Sequence, residues 1–215
     1  KLMVDSKNNN LKSIFGTPKI LVYDFDGVFV DSLDIKGLSF CHSFNLDLDS
    51  AVSRRIIHHH LNNGSSGLVP AGTTGESPTL THEEHDRVVE ICIEQTAGRV
   101  PIIAGAGSIS TAEAVRLARR GAAAGADGVL IVSPYYNKPT QEGLFRHFSA
   151  VAEAVDVPVI VYDIPGRSIV PVDDDTLVRL NKTHGNICGI KDATSEVGRP
   201  PRIRNALGAG FTQMS

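Results

Sequence analysis

Residues 157–168, VPVIVYDIPGRS, form an apolar run that passes directly into polar side chains and a glycine-containing turn. A strand that is apolar at nearly every position is typical of a parallel sheet, because helices cover both of its faces. Similar runs occur at 19–25, 67–71, 100–105, 128–133 and 187–191, and a seventh begins at 211. The sequence therefore predicts a parallel sheet with these runs as its strands.

Helical patterns separate the runs, at 49–61, 82–95, 111–124, 141–154, 173–180 and 196–207. Thr81 followed by Glu84 predicts a capping box at the start of the second helix, and Gly125 suits the end of the third. Pro200 and Pro201 interrupt the last pattern, so we expect that helix to begin after them. Alternating strands and helices with short connections indicate repeated βαβ units.

Two architectures fit this alternation, an open doubly wound sheet and a (β/α)8 barrel. Polar clusters favour the barrel, because they follow four of the runs: GTTGES at 72–77, SPYYNKP at 133–139, DIPGRS at 163–168 and KDAT at 191–194. The active site of such a barrel is built from several strands at this face. We therefore expect an α/β protein of the (β/α)8 TIM-barrel type. We expect it to be incomplete at the C-terminus, because the chain stops within the seventh run.

The composition excludes some classes of partner. The chain has 215 residues, of which 41% are hydrophobic, and a formal net charge of −3. This slight acidity gives no reason to expect nucleic acid or an anionic membrane as a partner. No apolar run approaches the ~20 residues needed to span a bilayer. Cys41, Cys92 and Cys188 are widely spaced and odd in number, so we expect free thiols and a cytoplasmic location.

Lys191 closes the apolar run ICGIK. Desolvation at the end of a buried strand lowers the pKa of an amine, and the neutral amine can then attack a carbonyl group. The alternative is a lysine that extends to the surface and pairs with Asp192. Position alone leaves both interpretations open.

Tyr162 and Arg167 belong to the run that ends in VYDIPGR. A phenol at a strand end can relay protons, although a lone tyrosine is more often a core residue with its hydroxyl at the rim. Arg167 can hold a carboxylate through two parallel hydrogen bonds, or it can be a solvated loop residue. Each residue is a weak signal by itself.

The segment GTTGES, at 72–77, follows a strand and precedes a helix. Its glycines allow a tight turn with consecutive exposed N–H groups, and the hydroxyls of Thr73 and Thr74 lie between them. This arrangement suits a carboxylate or carbonyl oxygen. It is not a phosphate-binding P-loop, because the final GKS or GKT is missing.

Taken together, five segments resemble the dihydrodipicolinate synthase family: GLVPAGTTGES, PIIAGAG, SPYYNKPTQEGL, VYDIPGRS and GIKDAT. The resemblance covers residues 64–215. It implies a pyruvate-dependent class I aldolase that condenses pyruvate with aspartate 4-semialdehyde in lysine and diaminopimelate biosynthesis. It also implies a homo-oligomer, either dimer or tetramer, and no cofactor beyond the covalent Schiff base between lysine and pyruvate.

The resemblance also assigns roles to individual residues. Lys191 matches the Schiff-base lysine, and Tyr162 matches the tyrosine that shuttles protons during imine formation. Thr73 matches the hydroxyl that links this tyrosine to a second one, which is donated across a subunit interface and is matched by Tyr136. Thr74 matches the residue that binds the pyruvate carboxylate, and Arg167 matches the arginine that handles the aldehyde's carboxylate.

Sialic acid lyases and keto-deoxy sugar acid aldolases of the wider family share the lysine and the tyrosine. They tend to have serine in the first loop and to lack the arginine of IPGR. The doubled threonine at 73–74 and Arg167 therefore favour the synthase. Asp163 stands where asparagine is common.

The N-terminal stretch KILVYDFDGVFVDSLD, at 19–34, instead resembles motif one of the haloacid dehalogenase-like hydrolases. In that family Asp24 would be the nucleophile and Asp26 the acid/base of a Mg²⁺-dependent phosphohydrolase, since residues two apart on a strand share a face. An inert strand with a turn is the alternative, because the later strands carry the aldolase pattern.

The two resemblances together predict a chimera. Residues 1–46 would form a haloacid dehalogenase-like segment and residues 47–215 a partial aldolase barrel, with the junction between 45 and 64. An inactive truncated chimera is a further possibility that the sequence leaves open. The histidine run at 58–60 is expected to face solvent.

Overall fold

The computed structural model describes residues 23–24, 51–73, 75 and 77–215, with the backbone alone at 23–24 and 51–53. Thr74, Asp26 and Cys41 lie outside the described residues, and so does the side chain of Asp24. Predictions about these four side chains therefore stay predictions.

The described part of the chain alternates strands with helices. The strands are β1 (Tyr23–Asp24), β2 (Leu68–Val69), β3 (Ile103–Gly105), β4 (Gly128–Val132), β5 (Val159–Asp163), β6 (Ile187–Asp192) and β7 (Thr212–Met214). The helices are α1 (Ala51–Asn62), α2 (His82–Thr96), α3 (Thr111–Ala124), α4 (Gln141–Ala152), α5 (Pro165–Ser168), α6 (Asp174–Thr183) and α7 (Arg199–Leu207), with a 3₁₀ turn at Ser77–Thr79. Each of the six predicted helices overlaps one of these, and only the short α5 was not predicted.

The strands are parallel and follow one another in chain order. β1 pairs with β2, and β3 to β7 form one continuous ladder. The two sheets are joined by a parallel bridge between Leu68 and Ile102 and by a hydrogen bond from the Gly105 N–H to the Pro70 carbonyl, 2.9 Å long. This sequential order is that of a (β/α)8-type barrel, which confirms the predicted fold. The runs at 19–25 and 67–71, both predicted as strands of a parallel sheet, contain β1 and β2, which pair in parallel at Tyr23 and Leu68.

The strands carry two apolar layers because alternate residues face opposite sides of a sheet. The inner layer contains Val69, Ile103, Leu130, Val132, Ile160, Tyr162 and Cys188. The outer layer, which packs against the helices, contains Val129, Ile131, Val159, Val161, Ile187 and Ile190. Coverage on both faces explains why the strand sequences are apolar throughout.

Local sequence signals set most of the helix ends. The capping box at Thr81 and Glu84 is present in both directions, and Gly125 ends α3 with a left-handed φ of 103°. The predicted start of α7 was wrong, because the helix begins at Arg199 and holds both prolines in its first turn. Backbone N–H groups in a first helical turn have no intrahelical partner, so proline is tolerated there.

Other predictions about single side chains had mixed outcomes. His58 and His59 are exposed as expected, but His60 is buried and lies 3.2 Å from the Ser65 hydroxyl. Cys92 and Cys188 are buried, and no disulfide bond joins either of them to another described residue. In the part of the chain that the structure describes, every helix is too short or too polar to cross a bilayer.

Candidate active site

Tyr162 and Lys191 lie side by side at the carboxyl ends of β5 and β6, where they are register partners. The Nζ atom of Lys191 is 4.4 Å from the centroid of the Tyr162 ring. Tyr162 is 4% exposed, and Lys191 is half-buried. An amine and a phenol that share one strand end can act on the same bound carbonyl group.

An irregularity in β6 turns Lys191 toward the inside of the barrel. Val159 pairs with Ile187, but its neighbour Ile160 pairs with Gly189, so β6 holds one extra residue at this point. Such a bulge shifts the alternation of the side chains by one position. Ile187 and Ile190 consequently both face the helices, and Lys191 faces the interior together with Tyr162.

A cavity of about 350 Å³ opens beside this pair. Thr73, Tyr162 and Arg167 all line it, so the structure brings three of the predicted residues together. Lys191 lines a separate, smaller space of about 20 Å³ in the barrel interior, and Leu130 borders both. The amine is therefore next to the cavity, behind Tyr162, rather than on its open wall.

Thr73 is held by the turn that follows β2. Ala71 has a left-handed φ of 54°, which bends the chain out of the sheet. A Cβ atom at Gly105 would overlap the carbonyl oxygen of Ala71, so β3 can approach this turn only because residue 105 is glycine. The buried His85 donates a hydrogen bond from Nε2 to the Gly105 carbonyl, 2.9 Å away, and burial lowers the pKa of His85.

Arg167 and Tyr136 occupy exposed positions. Arg167 lies in the short helix α5 rather than in the predicted loop, and its side chain reaches the cavity wall. Tyr136 is 86% exposed and has a left-handed φ of 69°. It is absent from the described wall of the cavity, which Tyr135 lines instead. Non-glycine residues seldom adopt such a backbone conformation, so its cost has to be offset by surrounding contacts.

Sequence reasoning missed a polar group that also lines the cavity, formed by His82, Ser108 and Glu113. The His82 Nε2 atom lies 2.6 Å from Glu113 Oε1, and the Ser108 hydroxyl donates a short hydrogen bond to Glu113 Oε2. The hydrogen bonds from Ser108 and then His82 lower the pKa of Glu113. Burial and the Glu113 charge raise the pKa of Tyr135 nearby. Since these residues come from two helices and intervening turns, no local spacing signalled them.

Metal-ligating side chains do not cluster at this face in the part of the chain that the structure describes. Among the described residues, no group of three or more His, Cys, Asp or Glu side chains could hold a metal ion. The arrangement at the cavity is an amine, a phenol, a hydroxyl and a guanidinium, which suits chemistry on a carboxylate-bearing carbonyl compound.

Comparison with known proteins agrees with this geometry. The sequence model of the dihydrodipicolinate synthetase family matches residues 39–215. A 4-hydroxy-tetrahydrodipicolinate synthase from Gluconacetobacter diazotrophicus is 56% identical over 169 residues, which are 78% of this chain and 57% of that protein. The synthase of the same name from Rhizobium meliloti is 50% identical over 188 residues, 87% of this chain and 63% of that protein. The chain thus spans a little over half the length of the named relatives it matches.

The prediction of a chimera finds no support in these matches. The family match begins at residue 39, and the Rhizobium meliloti match covers 87% of the chain, so both reach into residues 1–46. The comparisons give no support to a haloacid dehalogenase-like origin for 19–34. A short apolar strand followed by acidic residues and a glycine is too brief a pattern to identify that family.

Solved structures give the same family. The 4-hydroxy-tetrahydrodipicolinate synthase from Methylacidiphilum fumariolicum has a TM-score of 0.74 and 48% sequence identity. The match covers 75% of this chain and 54% of the synthase chain. A chloride-inhibited dihydrodipicolinate synthase from Acinetobacter baumannii, complexed with pyruvate, has a TM-score of 0.72 and 41% sequence identity. The match covers 76% of this chain and 62% of that synthase chain. A monomeric dihydrodipicolinate synthase variant has a TM-score of 0.72 and 38% sequence identity. The match covers 78% of this chain and 56% of the variant's chain.

Proposed function

The chain belongs to the dihydrodipicolinate synthetase family, and we propose that it acts as a Schiff-base lyase in which Lys191 forms an imine with pyruvate. The observation that carries this proposal is the pairing of Lys191 with Tyr162, with Nζ 4.4 Å from the ring centroid, beside a cavity lined by Thr73 and Arg167. The relatives named 4-hydroxy-tetrahydrodipicolinate synthase support it, as does the pyruvate complex of the Acinetobacter baumannii enzyme.

The first half of the proposed reaction is imine formation. The neutral Lys191 amine adds to the ketone carbon of pyruvate to give a carbinolamine, which then loses water to leave the imine. The ketone oxygen needs protons to depart as water, and the Tyr162 hydroxyl moves them, directly or through one water molecule. Thr73 links Tyr162 into this relay, and Thr74 binds the pyruvate carboxylate. No cofactor is required, because the covalent lysine adduct itself stabilises the carbanion.

The second half is condensation with aspartate 4-semialdehyde. Arg167 lies exposed at the cavity edge, where its guanidinium can bind the carboxylate of this second substrate through two hydrogen bonds. The names of the relatives favour this substrate over those of sialic acid lyases and keto-deoxy sugar acid aldolases.

We assign Tyr136 to a neighbouring subunit's site. Its side chain is 86% exposed, on a backbone conformation that tyrosine seldom adopts. An exposed aromatic side chain with a hydroxyl suits an interface that is apolar on one side and polar on the other. The competent form would then be at least a dimer in which two copies exchange this residue.

Trapping with borohydride tests the imine. Incubation of the chain with pyruvate and borohydride should add a three-carbon unit to Lys191, detected by peptide mass spectrometry. Lys191→Ala should abolish the adduct. Lys138→Ala, which removes a lysine from the segment after β4, should leave it unchanged. A folded chain that forms no adduct, or forms it on another lysine, would refute the proposed mechanism.

A further inference from the structure

A buried ion-pair cluster lies behind the candidate active site, on the outer side of the sheet. Arg199, the first residue of α7, is 2% exposed, and Asp163 at the end of β5 is 0% exposed. A buried charge is costly unless it is paired and hydrogen-bonded. Ion pairs and hydrogen bonds join the charged groups of this cluster. Neither Arg199 nor Asp163 lines the cavity described above.

Arg199 contacts the last residues of both strands that carry the candidate catalytic pair. Its Nη1 atom lies 2.6 Å from Asp163 Oδ2 and 3.6 Å from Asp192 Oδ2. Asp163 and Asp192 are register partners, and each directly follows Tyr162 or Lys191 in its strand. Because neighbours along a strand point to opposite faces, one guanidinium ties the two strand ends together from outside while the reacting groups face inward.

The same guanidinium also holds the base of the segment that carries Arg167. Nη2 donates to the Val172 carbonyl at 2.5 Å, and Nε donates to Asp174 Oδ1 at 2.9 Å. The Val172 N–H in turn donates to Asp163 Oδ2 at 3.1 Å. The segment 164–171 therefore leaves the end of β5 and returns to it, and its return point is fixed by Arg199 and Asp163.

Burial and charge make this cluster sensitive to the loss of one partner. Burial raises the pKa of Asp163, and the Arg199 guanidinium opposes that rise through its hydrogen bond and its charge. Removal of Arg199 would leave a buried carboxylate without its cation, which is strongly destabilising. Any test of Arg199 must therefore separate lost stability from lost geometry.

We propose that Arg199 is a positioning residue that sets the geometry of Lys191 against Tyr162 by clamping Asp163 and Asp192, and this inference rests on the proposed function. The planar guanidinium is suited to this task, since its fixed fork of donors reaches several acceptors at once. Arg199 itself does not touch the reacting atoms.

The test measures the rate constant of pyruvate labelling at saturating pyruvate, together with the amplitude of labelling and the urea midpoint of unfolding. Urea unfolding gives the folded fraction, by which the labelling rate constant is divided. A decrease that remains after this correction reports misplacement of the amine. Arg199→Met removes the clamp. The double variant Arg199→Met with Asp163→Asn also removes the unpaired buried charge, so its midpoint should recover toward that of the unmodified chain.

Arg202→Met is the matched control. Arg202 lies on the same helix and pairs with the same Asp174, with Nε 2.8 Å from Oδ2. It is exposed, and its described partners do not include Asp163 or Asp192. Its removal should leave the labelling rate constant within about twofold, as expected for an exposed ion pair.

The proposal expects the double variant to recover its midpoint but to label roughly 10- to 100-fold more slowly, because small displacements of reacting groups cost this much. Arg199→Lys keeps the positive charge but loses the planar fork of guanidinium donors, so it should label several-fold more slowly. If the double variant does not fold, Arg199→Lys tests the positioning role in its place. A labelling rate constant at the unmodified level in either variant would overturn the positioning role. If the unmodified chain is not labelled, the proposed function fails and the positioning role falls with it.

Discussion

The carboxyl end of β2 and the carboxyl ends of β5 and β6 contribute to one site but are supported in different ways. β2 has two residues before the chain turns away toward Thr73, whereas β5 and β6 run for five and six residues. The β2 end depends on close backbone approach, with glycine at position 105 beside Ala71. The β5–β6 end depends on long paired strands and on the buried Arg199 cluster.

This difference suggests a division of labour between the two ends. The amine and the phenol that we propose to react stand on extended strands with many ladder hydrogen bonds, where positions are precise. The groups that would hold the substrate's carboxylate stand on a turn, where backbone N–H groups and hydroxyls are accessible. Changes at the β5–β6 end should therefore act on the rate of imine formation, and changes at the β2 end on pyruvate affinity.

The largest expected effect comes from Tyr162→Phe. This change keeps the ring beside Lys191 and removes only the hydroxyl that would move protons, so the labelling rate constant should fall by about 100-fold or more. The pyruvate concentration that gives half-saturation should change little, because the proposed carboxylate-binding residues belong to the turn after β2. Rapid-quench labelling measures both quantities.

Tyr135→Phe is the comparison variant, since it removes a hydroxyl from another part of the cavity wall. We expect it to label within about twofold of the unmodified chain, as an exposed or half-exposed hydroxyl contributes little. If Tyr135→Phe lowered the labelling rate constant as much as Tyr162→Phe does, the Tyr162 hydroxyl would have no specific role in proton transfer.

The strand ends themselves could be predicted from the sequence, but the orientation of Lys191 could not. An apolar run that ends in lysine places the amine at the correct edge of a parallel sheet. Simple alternation from Ile187 would then put Lys191 on the helix-facing side. The extra residue in β6 reverses this, and it leaves no trace in the pattern because Ile187, Cys188 and Ile190 are all apolar.

The Arg199 cluster was also beyond the reach of sequence reasoning. The partners Asp163 and Asp174 are 36 and 25 residues away from Arg199. Asp163 was noted only as a departure from asparagine, and the two prolines after Arg199 suggested that the helix began beyond it. Long-range ion pairs depend on which elements pack together, and single-sequence patterns report only local spacing.

The second prediction tests the β2 end through Gly105→Ala. The new Cβ atom would overlap the Ala71 carbonyl oxygen, so the turn that carries Thr73 must move. Overpacking of this kind typically costs about 1–3 kcal/mol of unfolding free energy, and the half-saturating pyruvate concentration should rise in the same variant. Urea unfolding and labelling titrations measure the two effects.

Gly185→Ala provides the control, because a Cβ atom at that position meets nothing within 4 Å. Its unfolding free energy should stay the same or rise by about 0.4–1 kcal/mol, since alanine restricts the unfolded chain. If Gly105→Ala were as stable as this control, the β2 end would not depend on close backbone approach.

The smallest expected effect is the response of the two ends to acid. His85 supports the β2 end through its hydrogen bond to the Gly105 carbonyl, and burial lowers its pKa in the folded chain, although the Asp86 charge partly opposes this. The unfolded chain therefore binds a proton more readily than the folded chain does. The contribution of neutral His85 is complete above about pH 6.5 and is lost as the pH falls from there toward the lower folded pKa, by at most about 1.4 kcal/mol for each pH unit.

The unfolding free energy of the unmodified chain should thus fall more between pH 7.5 and 5.5 than that of His85→Gln, which has no proton to gain at this position. The comparison cancels the other histidines, whose titration is common to both chains. Equal pH dependence in the two chains would mean that acid does not act on the β2 end through protonation of His85.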